Sequence, residues 1–257
     1  MQRYISEVED WLNRLYVAAE GAELRKEDRR KACEVAAMME EVERALARFS
    51  RRSSILLVDA AAGKSYVGLL SAKLVLAAGD RKASVITIER DPRRVEASRR
   101  AAACLETDIP VECREAAVET EAAWPQQPSI ITALHACGPS ADAIIDRAIA
   151  CRTRTLLLVP CCTSKAVVAS NKALARADAL GIPRHAPVRR RFVQAFVDAE
   201  RTWRLEAAGY ETEVVEFVAP TVTPHNLLWR ARLVGEPRRM AAAKRTWMNL
   251  MKPPGSC

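Results

Sequence analysis

The sequence predicts a doubly wound α/β fold: a seven-stranded, mostly parallel sheet with helices on both faces and a helical extension at the N-terminus. Three observations predict it. Short unbroken apolar runs, such as Ile55-Leu56-Leu57-Val58 and Leu156-Leu157-Leu158-Val159, read as strands buried on both faces. These runs alternate with stretches of helical periodicity, which implies parallel strands joined by crossover helices. The last two runs instead follow one another across a short Pro-containing link, the pattern of an antiparallel hairpin that ends the sheet.

In chain order, Ile5, Val8, Leu12 and Leu15 fall at three- and four-residue steps over residues 4–21 and form one apolar helical face. Residues 23–49 repeat that spacing through Leu24, Val35, Met38, Val42, Leu46 and Phe49, with Gly21 between the two stretches. The first strand covers 54–59 and a helix follows over 66–78. The second covers 84–89, and Asp91 ahead of Pro92 caps the next helix, 92–105. Strands at 110–113 and 129–134, a helix near 140–151 and a strand at 155–159 continue the alternation. A helical stretch runs from Phe192 towards Gly209, and the hairpin joins 212–218 to 227–234. No internal repeat is present. The expected division is a helical extension (1–52), a sheet domain (53–235) and a basic tail (236–257).

Composition narrows the function classes. With 49% hydrophobic and 28% charged residues, the 257-residue chain is of ordinary globular type. No run approaches the ~18 apolar residues of a membrane span, and acidic residues within the first ten positions are unlike an export signal. A cytoplasmic protein without a membrane partner is expected. Its eight cysteines form no CxxC pair, so they read as reduced thiols rather than as a disulfide framework or zinc site. The net charge of +8 is uneven: residues 1–52 hold 11 basic and 11 acidic residues, whereas 176–257 hold 14 and 8. A localised cationic surplus reads either as the footprint of a polyanion partner or as a solvated face, and both stay open. Aromatics make up only 5%, too few for a base-stacking platform.

In an open α/β sheet, ligands bind beyond the carboxyl ends of the strands. The first such end reads Val58-Asp59-Ala60-Ala61-Ala62-Gly63-Lys64-Ser65. Val58 stands where a P-loop needs its leading glycine, so a triphosphate site is not expected. Asp59 and Gly63 suit a turn with close backbone approach to a ligand, and Glu89, ending the second strand, suits a ribose diol. Past the fourth and fifth strands come His135 and Cys137, then Cys161 and Cys162. If those strands are neighbours, the four share a rim. Acid–base work by His135, a reactive thiolate and plain packing of the cysteines all remain open, with no bound metal expected.

VDAAAGKSYVG, ITIERD, ITALHACGPSADAIIDRAI, LLLVPCC and RLEAAGYETEVVEFVAPTVTPHNLL, in that order, resemble a branch of the class I S-adenosylmethionine-dependent methyltransferases. That branch has LHAC and PCC turns and a TPxN segment, and is distantly similar to tRNA acceptor-stem ribose methyltransferases. The resemblance spans about residues 53–234 and implies a Rossmann-like sheet and S-adenosylmethionine as cofactor. It implies cofactor contacts at Asp59, Ala61, Gly63, Lys64, Tyr66, Glu89, Arg90, Glu115 and His135. His135, Cys137, Cys161 and Cys162 would border the transferring methyl group. Ala61 and Ser65 stand where the loop usually carries glycine. Arg189, Arg190, Arg191, His225 and Asn226 are the expected substrate contacts. RNA is the favoured acceptor, so RNA modification is expected. A peptide or small-molecule acceptor, or a non-catalytic pseudoenzyme that binds cofactor or a partner, is the alternative.

Overall fold

The structure, a computed structural model, describes residues 3–18, 21 and 23–252, with the side chain of Cys162 outside the description. Its strands are β1 (Ile55–Ala60), β2 (Ala83–Glu89), β3 (Val111–Glu115), β4 (Ile130–Cys137), β5 (Thr155–Cys162), β6 (Tyr210–Glu216) and β7 (Leu227–Leu233). They form one sheet in the order β3-β2-β1-β4-β5-β7-β6. Strands β1 to β5 are parallel, and β7 runs antiparallel to both β5 and β6. The strand order reverses at β1, whose carboxyl end lies between those of β2 and β4. That is where an open α/β sheet leaves a crevice.

Among the described residues, eight α-helices cover the sheet. On one face lie α1 (Ile5–Leu12), α2 (Lys26–Leu46), α3 (Tyr66–Leu70) and α4 (Pro92–Ala103). The other carries α5 (Pro139–Ala150) and α7 (Ala186–Ala207), flanked by α6 (Val168–Ala179) and α8 (Pro237–Met251). The alternation along β1 sorts the two cores. Ile55 and Leu57 pack with Val35, Met38, Met39 and Val42 of α2, while Val58 packs with Ile144 and Ile145 of α5 and Leu205 of α7. Each such fully buried aliphatic side chain contributes about 1.5–3 kcal/mol. The N-terminal helices are therefore a full layer of the domain. A buried carboxylate fixes that layer to the far strands: Glu41 of α2 accepts two hydrogen bonds from Arg230 of β7, at 2.7 and 2.8 Å.

Helix α4 starts as the sequence predicts, with Pro92 in its first turn and Asp91 accepting a hydrogen bond from the Arg93 backbone at 2.9 Å. The ends of β4 and β5 differ from expectation. Both strands run on to Cys137 and Cys162, with register shifts between Leu134 and Ala136 and between Ala136 and Cys137. Pro160, opposite Ala136, has no N–H to donate to the ladder, so the pairing cannot continue regularly there. LHAC and PCC are thus the bulged last residues of two adjacent strands rather than turns beyond them. Gly138 then takes φ 54°, ψ −126°, a conformation that only glycine adopts readily, and opens α5.

Two helices were not expected. Helix α6 follows β5 as part of a small satellite core with Val193, Phe196 and Val197 of α7, against which Leu250 and Met251 of α8 pack. Helix α8 occupies most of the segment read as a basic tail. Glu236 caps it by accepting from the Arg238 and Arg239 backbones, and Pro237 fits its first turn.

Candidate functional site

The loop after β1 is built for close approach to a ligand. Ala61, Gly63 and Ser65 all take left-handed φ angles of 51°, 60° and 60°, which folds the chain back over the end of the strand. Gly68, in the first turn of α3, sits against the sheet so tightly that a Cβ there would stand 2.9 Å from Thr87 and 3.0 Å from Asp59. Asp59 lies beneath the loop rather than on its surface. Only 2% exposed, it accepts from the Gly68 backbone at 2.8 Å and from the Thr132 hydroxyl at 3.2 Å. Burial raises its carboxyl to about pH 7, and the charge of Glu89 adds to the effect, against the opposing hydrogen bonds from Gly68 and Thr132. Asp59, an expected cofactor contact, thus supports the loop from beneath.

Glu89 is a buried carboxylate on the wall of the crevice. One oxygen accepts from the Gly63 backbone at 2.8 Å, and the other from the Arg90 and Asp91 backbones at 3.0 and 2.9 Å. A cleft of about 150 Å³ opens beside it, bounded by Ala61, Ile88, Glu89, Ala116, Val118, His135 and Cys137. Arg90, Arg94, Glu119 and Ser140 complete its wall. Glu115, an expected cofactor contact, is exposed at the end of β3 and is not among the residues lining the cleft. The residues just after it do, and sequence reasoning missed them because Ala116 and Val118 carry no chemical signal. Tyr66 stacks edge-on against Tyr16 at 4.7 Å, and the Lys64 carbonyl accepts from the Tyr16 hydroxyl at 2.7 Å. These two residues tie the loop to the N-terminal layer.

His135 occupies the bulge in β4 with φ 64°, a strained angle for a non-glycine residue. Bulges re-aim side chains at sheet rims, and at this one His135 joins the cleft's wall while its ring turns towards α2. Its Nε2 lies 2.9 Å from Oε1 of Glu34, a buried residue of α2. Burial on its own would raise the Glu34 carboxyl, but hydrogen bonds from His135 and from Lys31, at 2.6 Å, outweigh it and hold the group below its usual value. Glu34 lies 101 positions upstream of His135, and no sequence signal joined the two. His225, in the β6–β7 connection, shares their electrostatic environment. Partial burial and the charge of His135 lower it, and Glu34 opposes them. Asn226 is buried and donates to the Val218 carbonyl at 3.1 Å, so it clasps the connection instead of facing a substrate.

Cys137 and Cys161 are joined as a disulfide, with Cα atoms 5.3 Å apart. This corrects the expectation of reduced thiols for one pair, because adjacency of β4 and β5 brings together residues 24 apart in sequence, whereas Cys33, Cys104, Cys113 and Cys151 are free thiols as expected. Neither sulfur of the pair is then available as a thiolate, and the side chain of Cys162 lies outside the described residues. On the other side of the rim, Arg201 is fully buried and forks onto Asp142 at 3.0 and 3.2 Å, which fixes α7 to α5. Arg189 is likewise committed, to Asp178 at 2.8 Å and to the Ile182 carbonyl at 2.7 Å. Arg190 and Arg191 are exposed, without an ion pair among the described residues. A larger groove of about 340 Å³ lies away from the cleft, between α2 and β5–β7. Most of its arginines pair with its own glutamates, as in Arg230 with Glu41 and Glu213 and Arg232 with Glu211.

The profile of a methyltransferase-domain family matches residues 30–168, more than half of the chain, from α2 to the start of α6. The chain belongs to that family. As the sequence landmarks implied, it is a class I S-adenosylmethionine-dependent methyltransferase. No curated protein matches it in sequence. Among solved structures, the methyltransferase is similar to SAH-bound PaMTH1 of Podospora anserina, with a TM-score of 0.52 and 13% identity over 91% of this chain and 89% of that one. It is also similar to the magnesium protoporphyrin IX methyltransferase of Synechocystis PCC 6803 with bound SAH, with a TM-score of 0.49 and 13% identity over 89% of this chain and 95% of that one. At such identities the likeness is one of fold.

The cleft of the methyltransferase fits such a cofactor on three counts. Space is open over Gly63, where a Cβ would meet nothing within 4 Å. The Glu89 carboxylate has roughly four lone-pair positions, of which three are used, so one is left for a hydroxyl. Ala116 and Val118 offer an apolar wall suited to a flat base.

Proposed function

We propose that the methyltransferase holds S-adenosylmethionine in the cleft beside Glu89 and methylates RNA, with His135 accepting the proton of the acceptor group. When bound, the cofactor supplies an already activated methyl group, so the protein has mainly to align and deprotonate the acceptor. Glu89 binds the ribose. Ala116 and Val118 flank the adenine, and the open backbone at Ala61 and Gly63 receives the methionine end. The observation that carries this assignment is that a single cleft is walled by the β1 loop, by Glu89 and by the bulge residue His135. A base placed on the cofactor's own wall is within reach of an acceptor aligned with it. On this reading residues 53–235 are the catalytic domain, 1–52 a covering layer and 236–257 a basic appendage.

Electrostatics support RNA as the acceptor. Helix α7 has 22 residues, about 33 Å of helix, and ends just before β6 starts at the far end of the sheet. Strands of seven residues cover only about 23 Å, so the first turns of α7 project past the strand ends on the cleft side. Arg190 and Arg191 stand there without an ion pair among the described residues, and exposed Lys165 follows β5 at the same end. Cations free of internal partners are available for phosphates.

The test is incubation with methyl-labelled S-adenosylmethionine and a cell extract, followed by separate nuclease and protease digestion. Label released by ribonuclease supports the proposal. Label released only by protease, or carried by small molecules, overturns RNA as the acceptor.

A further inference from the structure

We infer that Glu34 is the positioning residue for His135, so that the proton-accepting unit is a carboxylate–imidazole pair assembled between the N-terminal layer and the sheet. The inference rests on the proposal that His135 takes the acceptor's proton. It adds the group that makes it able to do so.

The geometry assigns each atom a role. Glu34 Oε1 lies 2.9 Å from Nε2, so that nitrogen carries the hydrogen and donates it to the carboxylate. Nδ1 is left with its lone pair, on a partly exposed ring of a residue that walls the cofactor cleft. When Nδ1 takes up a proton, the positive charge forms beside a carboxylate already in place, without solvent reorganisation. The other Glu34 oxygen is held by Lys31 Nζ at 2.6 Å, which fixes the carboxylate's orientation. Only 5% of Glu34 is exposed, so water does little to screen the pair.

Two further observations favour function over a simple tie between α2 and β4. The imidazole reaches Glu34 only because His135 sits at a bulge with a left-handed backbone, a costly conformation for a non-glycine residue. Joining α2 to the sheet does not need that strain, since Val35, Met38, Met39 and Val42 already pack it there and Glu41 already bonds Arg230. Moreover, the imidazole is 22% exposed while its partner is nearly enclosed. One nitrogen is anchored inside the protein and the ring stays partly open, the arrangement of a base and its orienting group.

The test compares the intact protein with Glu34→Gln, which keeps the shape and an acceptor oxygen but removes the charge. The readout is the rate at which diethylpyrocarbonate modifies His135, followed by peptide mass spectrometry in the presence of S-adenosylhomocysteine. Modification of exposed His185 is the internal standard. At pH 8, where the rate reads the nucleophilicity of the unprotonated nitrogen, loss of the carboxylate should slow modification of His135 severalfold and leave His185 unchanged. An unchanged rate overturns the inference. So does a faster one, which would report a structural tie that has loosened. Methyl transfer by His135→Ala separates the two proposals. If His135→Ala keeps full activity, the assignment of the base fails. If it is inactive while Glu34→Gln is modified and turns over as the intact protein does, only the role of Glu34 fails.

Discussion

The Asp59 carboxyl lies buried under the cofactor loop, and Asp59→Asn tests what that burial does to stability. The group titrates near pH 7 in the folded protein, against an ordinary 3.8. Its folded value is raised, so the folded state binds the proton more tightly than the unfolded chain. Stability from this group is therefore complete below about pH 4 and is lost as the pH rises towards 7. At about 1.4 kcal/mol per pH unit, the loss between pH 5 and pH 8 amounts to about 3 kcal/mol. Asparagine cannot ionise, yet its oxygen still accepts from Gly68. Urea unfolding of both proteins at pH 5, 6, 7 and 8 isolates the effect, because every other titrating group is common to both. The intact protein should lose about 3 kcal/mol relative to Asp59→Asn over that range. A constant difference, or one that grows the other way, would refute the reasoning.

Gly68→Ala forces a methyl group against Thr87 and Asp59 at 2.9 and 3.0 Å, and should cost about 1–3 kcal/mol in denaturant unfolding and weaken S-adenosylhomocysteine in calorimetry. Tyr210→Phe removes a buried hydroxyl shared by the Ala148 and Thr153 carbonyls at 2.8 and 2.9 Å. Thermal unfolding should show a loss of about 1–2 kcal/mol with no change in cofactor affinity. In the double variant Arg190→Ala/Arg191→Ala, RNA binding should weaken, and the slope of log affinity against log salt should fall by about 2. Cofactor titration should be unaffected there.

The fold was legible because strands buried on both faces leave unbroken apolar runs, and because the helical spacing between them is regular. The strand ends were less so. Pro160 is visible in the sequence, but its effect on Ala136 depends on β4 and β5 being neighbours, which no local pattern states. Helix α6 was missed because its buried side is mostly alanine and serine: Ala169, Ser170, Ala173 and Ala177. Helix α8 did carry a signal, Glu236-Pro237, which the weight given to its cations obscured.

Within the candidate site, the places of Glu89 and His135 at strand ends were legible, and both line the cleft. Arg189 looked like a phosphate contact because its partner Asp178 lies 11 residues away across a helical hairpin not foreseen. Glu34 was hidden for the same reason, whereas the shared rim of Cys137 and Cys161 was legible and only their bond was not. The Glu34–His135 contact and that bond join elements that meet only once the sheet has closed and α2 has packed on it.

The central claim is that S-adenosylmethionine occupies the cleft between Glu89 and His135. Calorimetric titration of S-adenosylmethionine and S-adenosylhomocysteine into the intact protein and into Glu89→Ala tests it most directly, with circular dichroism confirming that both are folded. The account predicts saturable binding of both ligands by the intact protein and loss of that binding in the variant. No binding by the intact protein, or equal binding by a folded Glu89→Ala, would contradict it.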